Sequence, residues 1–248
     1  SFTSQFVVVY GDSGTGKSAF LSRILDATFC DKEGGDWKRL HDRVLARHIC
    51  RVQDDDTLDP TKWARAIAGQ IFLALLKCNQ KGMALKVKGH TDQDDFKHWL
   101  EKETSVRTIF KEWVIPVLQN LNGPGDLGGR DTIAIDSLDE ARTLAVLGGR
   151  SKDTIVSYLL EFRHKWPPWI RFLATSRPDT ETKEVLLPLT GASIEVQDEQ
   201  NLKDVDSFVR LKLKQFKDWN LGEDQPRLPS DVSGAVSSNM NGSEKNSL

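Results

Sequence analysis

FVVVY-GDSGTGKS-AFLSRIL, residues 6–25, joins a continuous apolar run to an amphipathic one through a glycine-rich turn. Phe6 to Tyr10 is short and rich in β-branched residues, the pattern of a strand buried on both faces of a sheet. Leu21, Ile24, Leu25 and Thr28 then fall at helical spacing, so a helix is expected from Lys17. Between the two, Gly11, Asp12, Ser13, Gly14, Thr15, Gly16, Lys17 and Ser18 fit G-x-x-x-x-G-K-[ST] at every defined position. A strand that turns through such a loop into a helix aims backbone N–H groups and the positive end of the helix at one point, where phosphate fits. The expected binding segment runs from Gly11 through Ala19, with Lys17 reaching the β- and γ-phosphates and the Ser18 hydroxyl ligating magnesium. The competing reading is a glycine-rich turn with an incidental lysine. The strand and helix on either side argue against it.

Outward from this loop, strands alternate with helical stretches. Val44 to Cys50 reads as a second strand, closed by the acidic Asp54, Asp55 and Asp56, which are expected in a solvated loop. Asp59-Pro60 supplies a cap and a first-turn proline for a helix carrying Trp63, Ile67, Ile71, Ala74, Leu75 and Cys78 at helical spacing. Residues 79–103 are polar, show little periodicity and read as a surface excursion. Lys81, Lys86, Lys88 and His90 could form a basic patch there, but the near-neutral charge balance and lack of interleaved aromatics favour an exposed loop or helix. Val106, Ile109, Phe110, Trp113, Val117 and Leu121 mark a further helix, stopped by Gly123-Pro124-Gly125. Thr132 to Ile135 is an apolar run, a helix is expected from about 153 to 166, Ile170 to Thr175 reads as a strand and Ser193 to Val196 as a shorter one. Val205, Phe208, Val209, Leu213 and Phe216 share one face of a last helix. The alternation predicts an α/β fold, a mostly parallel sheet with helices on both faces in a three-layer sandwich.

Two further constellations carry chemistry. In Thr132-Ile133-Ala134-Ile135-Asp136 the strand delivers a carboxylate at its C-terminal end, the edge where ligands of parallel sheets bind. Asp136 is the expected partner of a magnesium ion, which prefers hard oxygen ligands. Asp139 and Glu140 follow closely and either could orient or polarise an attacking water. In Phe172-Leu173-Ala174-Thr175-Ser176-Arg177-Pro178 a second apolar strand ends in a cation, and Arg177 could report on a γ-phosphate through charge-assisted bonds.

GDSGTGKS, IAIDSLDEA and LATSRP together resemble the NACHT branch of the STAND signalling ATPases. HICRVQDDDTLDPTKWARAIAGQI is similar to the second strand and following helix of nephrocystin-like NACHT domains, and the likeness spans most of residues 5–217. The resemblance implies a P-loop NTPase of the ASCE type, with one strand between the loop strand and the Asp136 strand. It implies a switch that rests with ADP, exchanges to ATP and assembles or changes contacts until hydrolysis resets it. It also implies flanking effector and repeat domains, and a helical lid of which only the beginning is present. The expected division is a nucleotide-binding domain over 1–198, the start of a lid over 199–235 and a polar tail over 236–248.

Composition narrows the remaining classes. Lys plus Arg number 34 against 36 Asp plus Glu, a net charge of −2, which gives no electrostatic reason to expect nucleic acid. Three cysteines, Cys30, Cys50 and Cys78, have neither disulfide-framework nor zinc-site spacing and are expected as core thiols in a reducing, cytoplasmic setting. No apolar run approaches the roughly 20 residues that cross a bilayer, so no membrane insertion is expected. The chain opens at Ser1 and enters its first strand at once, and is read as a piece of a longer polypeptide. The expected ligands are ATP or ADP with Mg²⁺, with GTP open because no base-specifying motif stands out. Expected partners are other protein domains or a second copy, met through flanking regions. Two other classes stay open: a scaffold or interaction module stabilised by nucleotide without turnover, and an AAA-type mechanical or DNA-handling ATPase.

Overall fold

The apolar runs become five strands of one sheet: β1 (Phe6–Tyr10), β2 (Val44–Ile49), β3 (Thr132–Asp136), β4 (Arg171–Ser176) and β5 (Ala192–Glu195). In this computed structural model the described residues are 5–87, 89–142 and 153–196, all within the first of two compact units, Ser1–Glu199. The expected last helix, lid region and polar tail lie outside the described residues. The strand order is β2-β3-β4-β1-β5, and every pair is parallel. Thus β4 stands between the loop strand β1 and the Asp136 strand β3.

Alternation along each strand sends side chains to opposite faces and creates two cores. Ile133 and Ile135 of β3, Phe172 and Ala174 of β4, and Phe6 and Val8 of β1 join the larger one. Ala134 turns the other way and packs with Leu21 and Ile24 of α1 (Lys17–Leu25), with Leu173 against them. The α/β expectation of helices on both faces is therefore met. The larger core is built around α5 (Pro60–Lys77) and a run formed by α8 (Val106–Ile109), a π-helical turn Phe110–Val114 and α9 (Ile115–Gln119). Phe110 lies 4.9 Å from Trp63 and 5.5 Å from Phe162, ring centroid to centroid. Such aromatic pairs add about 0.5–1.5 kcal/mol each beyond the area they bury.

The helix expected over 106–121 is real but not regular. Pro116 has no N–H to donate within the helix, and the preceding turn widens so that the Ile115 N–H reaches the Phe110 carbonyl. Asp59 caps α5 as its position predicts, accepting from Thr61 N at 2.7 Å and Lys62 N at 3.2 Å. From α5, Gln70 accepts from Arg47 N and donates to Arg47 O, each at 2.9 Å. This occupies main-chain groups on the outer side of edge strand β2.

Several expectations need correction. The acidic run is not a loop: Asp54 caps a helical turn, α4 (Asp55–Leu58), whose Leu58 is buried. Residues 79–103 contain α6 (Lys81–Lys86) and α7 (Gln93–Lys102), the latter capped by Asp92. Phe96 and Leu100, one helical turn apart, bury a face too narrow to register against seven polar neighbours. His90 is not exposed as expected: its side chain is 6% exposed, 3.5 Å from Asp95 and packed on Phe96 and Trp99. Two helices after α1 were not expected, α2 (Ala27–Glu33) and α3 (Gly35–Asp42), the first capped by Asp26. The helix expected over 153–166 is α10 (Ile155–Phe162), opened by a Thr154/Ser157 capping box. An unforeseen α11 (Thr180–Leu186) precedes β5. No helix among the described residues is long and apolar enough to cross a membrane.

Candidate functional site

Parallel strands bring their carboxyl ends to one edge, so residues far apart in sequence meet there. Tyr10 is in register with Ser176, Ile135 with Ala174, and Ile49 with Asp136. The loop after β1 crosses this edge. Gly16 caps α1 in the left-handed region (φ 88°), which L side chains avoid. At Gly11 an added Cβ would sit 2.5 Å from Thr15 Oγ1 and 3.1 Å from the Val196 side chain. The loop closes on itself through Thr15 Oγ1, which donates to Asp12 O at 2.8 Å.

Lys17 is 9% exposed and folds back under the loop, its ammonium donating to Gly11 O at 2.6 Å and Asp12 O at 2.8 Å. Burial pushes its pKa below the ordinary lysine value. The carboxylates of Asp139, Asp136 and Asp12 oppose that shift, while the charge of Arg177 adds to it. Ser18 Oγ donates to Asp136 Oδ1 at 3.2 Å across 118 residues of sequence. A hydroxyl beside a carboxylate is the hard oxygen pair that suits magnesium, with water completing the shell. Among the described residues no group of three or more His, Cys, Asp or Glu is arranged to hold a metal ion.

The other acidic candidates are already engaged. Asp139 accepts from Arg177 N at 3.1 Å and lies 3.2 Å from its Nε. Glu140 opens a short 3-10 turn, Glu140–Arg142, and accepts from Val52 N at 2.6 Å, which ties it to the turn after β2. Arg177 itself is 55% exposed in its side chain. Asp12, Ser13, Gly14 and Ala19 are exposed on the loop and first turn.

Two residues that meet Asp136 were given no part in the site by the sequence: Thr175, and Cys50, which was expected only as a core thiol. Thr175 is fully buried and donates its hydroxyl proton to Asp136 Oδ1, in a close contact. Its place in a strand ending Ala-Thr-Ser was the available signal: a polar residue continuing a buried run. Cys50, the residue directly after β2, is 1% exposed, and its N–H bonds Asp136 O at 3.1 Å. Burial, helped by the charges of Glu140, Asp136 and Asp139, pushes its thiol up to about 12.

A family model described as Nephrocystin 3, N-terminal matches residues 1–177, more than half of the chain. No curated protein matches the chain, and neither does any solved structure.

Proposed function

Because this chain belongs to the Nephrocystin 3, N-terminal family, we propose that its site is that of a NACHT-type P-loop NTPase of the ASCE class. It binds ATP or ADP with magnesium, hydrolyses slowly and acts as a nucleotide-dependent switch for assembly or signalling. The observation that carries this reading is the 3.2 Å bond between Ser18 Oγ and Asp136 Oδ1, formed at the N-terminus of a nine-residue helix behind a glycine loop. Loop amides and the helix end would hold the phosphates. Lys17 would exchange its carbonyl partners for phosphate oxygens, a favourable trade for a desolvated ammonium. Ser18 and Asp136 would hold the divalent ion, which neutralises phosphate charge when bound. Asp139 and Glu140 are the carboxylates available to orient water, and Arg177 the cation available to read the terminal phosphate.

A second reading, a nucleotide-stabilised scaffold without turnover, draws on the same geometry. Arg177 is paired with Asp139 and Glu140 with Val52 N, so the groups assigned to turnover are occupied within the protein. Both readings require nucleotide binding. Thermal unfolding with ADP, ATP and GTP, each with magnesium, tests it: ligand at about 100 times its dissociation constant stabilises by roughly 2.7 kcal/mol. Lys17→Ala should abolish the shift. An unshifted wild-type protein, or a Lys17→Ala variant that still shifts, overturns the assignment, and phosphate release separates the two readings.

A further inference from the structure

A threonine inside a parallel strand is normally explained by its β-branched shape, which valine would provide equally well. Thr175 needs more explanation than that, because a buried hydroxyl is costly unless its hydrogen bonds are made. Here they are made entirely with the edge that carries the site. The Ser137 N–H donates to Thr175 Oγ1 at 2.8 Å. The hydroxyl proton is thereby left to Asp136 Oδ1. The Leu138 N–H bonds Thr175 O at 2.9 Å. Ser137 takes the left-handed backbone (φ 56°), uncommon for a residue other than glycine, and Thr175 holds the turn on both sides of it.

The consequence falls on Asp136. Both side-chain donors, Ser18 and Thr175, converge on Oδ1, and no described residue donates to Oδ2. The carboxylate is held in one orientation before any ligand arrives, and its second oxygen is left for a cation or that cation's water. We propose that Thr175 is a positioning residue for divalent-ion binding: it touches neither phosphate nor metal, but sets the carboxylate that does. This rests on the reading of the Lys17, Ser18 and Asp136 edge as a magnesium–nucleotide site.

The test uses the whole chain and a fluorescent ADP analogue, with binding followed over a magnesium titration. Thr175→Val keeps the shape and deletes the hydroxyl; Thr175→Ser keeps the hydroxyl and deletes the methyl. Loss of a partner that orients a metal ligand commonly costs 10- to 100-fold in metal affinity. Thr175→Val should therefore raise the magnesium midpoint roughly 10-fold or more, while metal-free binding of the analogue stays at the wild-type level. Thr175→Ser should return the midpoint close to wild type. If Thr175→Val does not fold, Thr175→Ala replaces it in the comparison with Thr175→Ser. A wild-type midpoint in the hydroxyl-free variant overturns the inference, as does an equal loss of metal-free and magnesium-dependent binding. If wild-type protein binds the analogue, Lys17→Ala does not, and the midpoint is unmoved by removal of the hydroxyl, this inference alone falls. If wild-type protein binds no nucleotide, the underlying reading falls with it.

Discussion

Arg177 and Asp139 are joined twice: the carboxylate accepts the arginine's own N–H at 3.1 Å and lies 3.2 Å from its Nε. One side chain thus holds both the backbone and the guanidinium of the residue proposed to read a terminal phosphate. An incoming phosphate must compete with Asp139 for that charge. Arg177→Ala should weaken ATP relative to ADP by roughly tenfold, the worth of one charge-assisted hydrogen bond. Asp139→Asn removes the competing charge and should shift the ATP-to-ADP ratio the other way. Titration calorimetry with both nucleotides and magnesium measures this. Equal changes for ATP and ADP in both variants would mean that Arg177 does not sense the third phosphate.

At the opposite edge of the sheet, Asp131 is 3% exposed and accepts from Arg43 Nε at 3.0 Å and Thr132 Oγ1 at 2.8 Å. The Arg43 Nη2 contact is closer still, and Arg171 Nε stands at 3.7 Å. Asp131→Asn preserves the shape but removes the charge from this set. It should destabilise the fold by about 1.5–3 kcal/mol and lower Tm by about 2–4 °C for each kcal/mol. The shift produced by nucleotide should be unchanged, because Thr132 and Asp136 lie at opposite ends of β3. Parallel melting curves with and without ligand check both statements.

The buried thiol of Cys50 predicts a particular alkaline response. Its folded pKa, up to about 12, stands above the reference value of 9.0. Below about pH 9 both folded and unfolded chains carry the proton, so nothing changes. Above it only the unfolded chain ionises. The contribution of this thiol should then fall by about 1.4 kcal/mol per pH unit up to about pH 12. Urea unfolding of wild type and Cys50→Ala at a series of pH values isolates it from the other groups that titrate there. Profiles of identical slope for the two proteins would refute the burial of this thiol.

Much of the layout could be read from local pattern. Phe6–Tyr10 is a run of branched apolar residues, Asp59-Pro60 is a cap followed by a first-turn proline, and each produced the element expected of it. Weaker patterns failed for physical reasons. In α7 only Phe96 and Leu100 are buried, so periodicity was swamped by charge although Asp92 did cap the helix. In α3 no residue is buried, which leaves no apolar stripe to recognise. His90 looked like one of a set of surface cations, yet an aromatic pair and Asp95 enclose it.

The amino-acid order alone determined the strand–loop–helix unit around Gly11 to Ser18 and the placing of Asp136 and Arg177 at strand ends. These follow from residues within a few positions of one another, where side-chain period and backbone freedom decide the outcome. Only the tertiary structure decided that Ser18 and Thr175 meet the same oxygen of Asp136, that Asp139 holds Arg177, and that Glu140 turns to Val52. Those partners lie 118, 39, 38 and 88 residues apart. Their meeting depends on strand order and register, which are settled by how the two cores pack on the sheet and leave no trace in any short stretch of sequence.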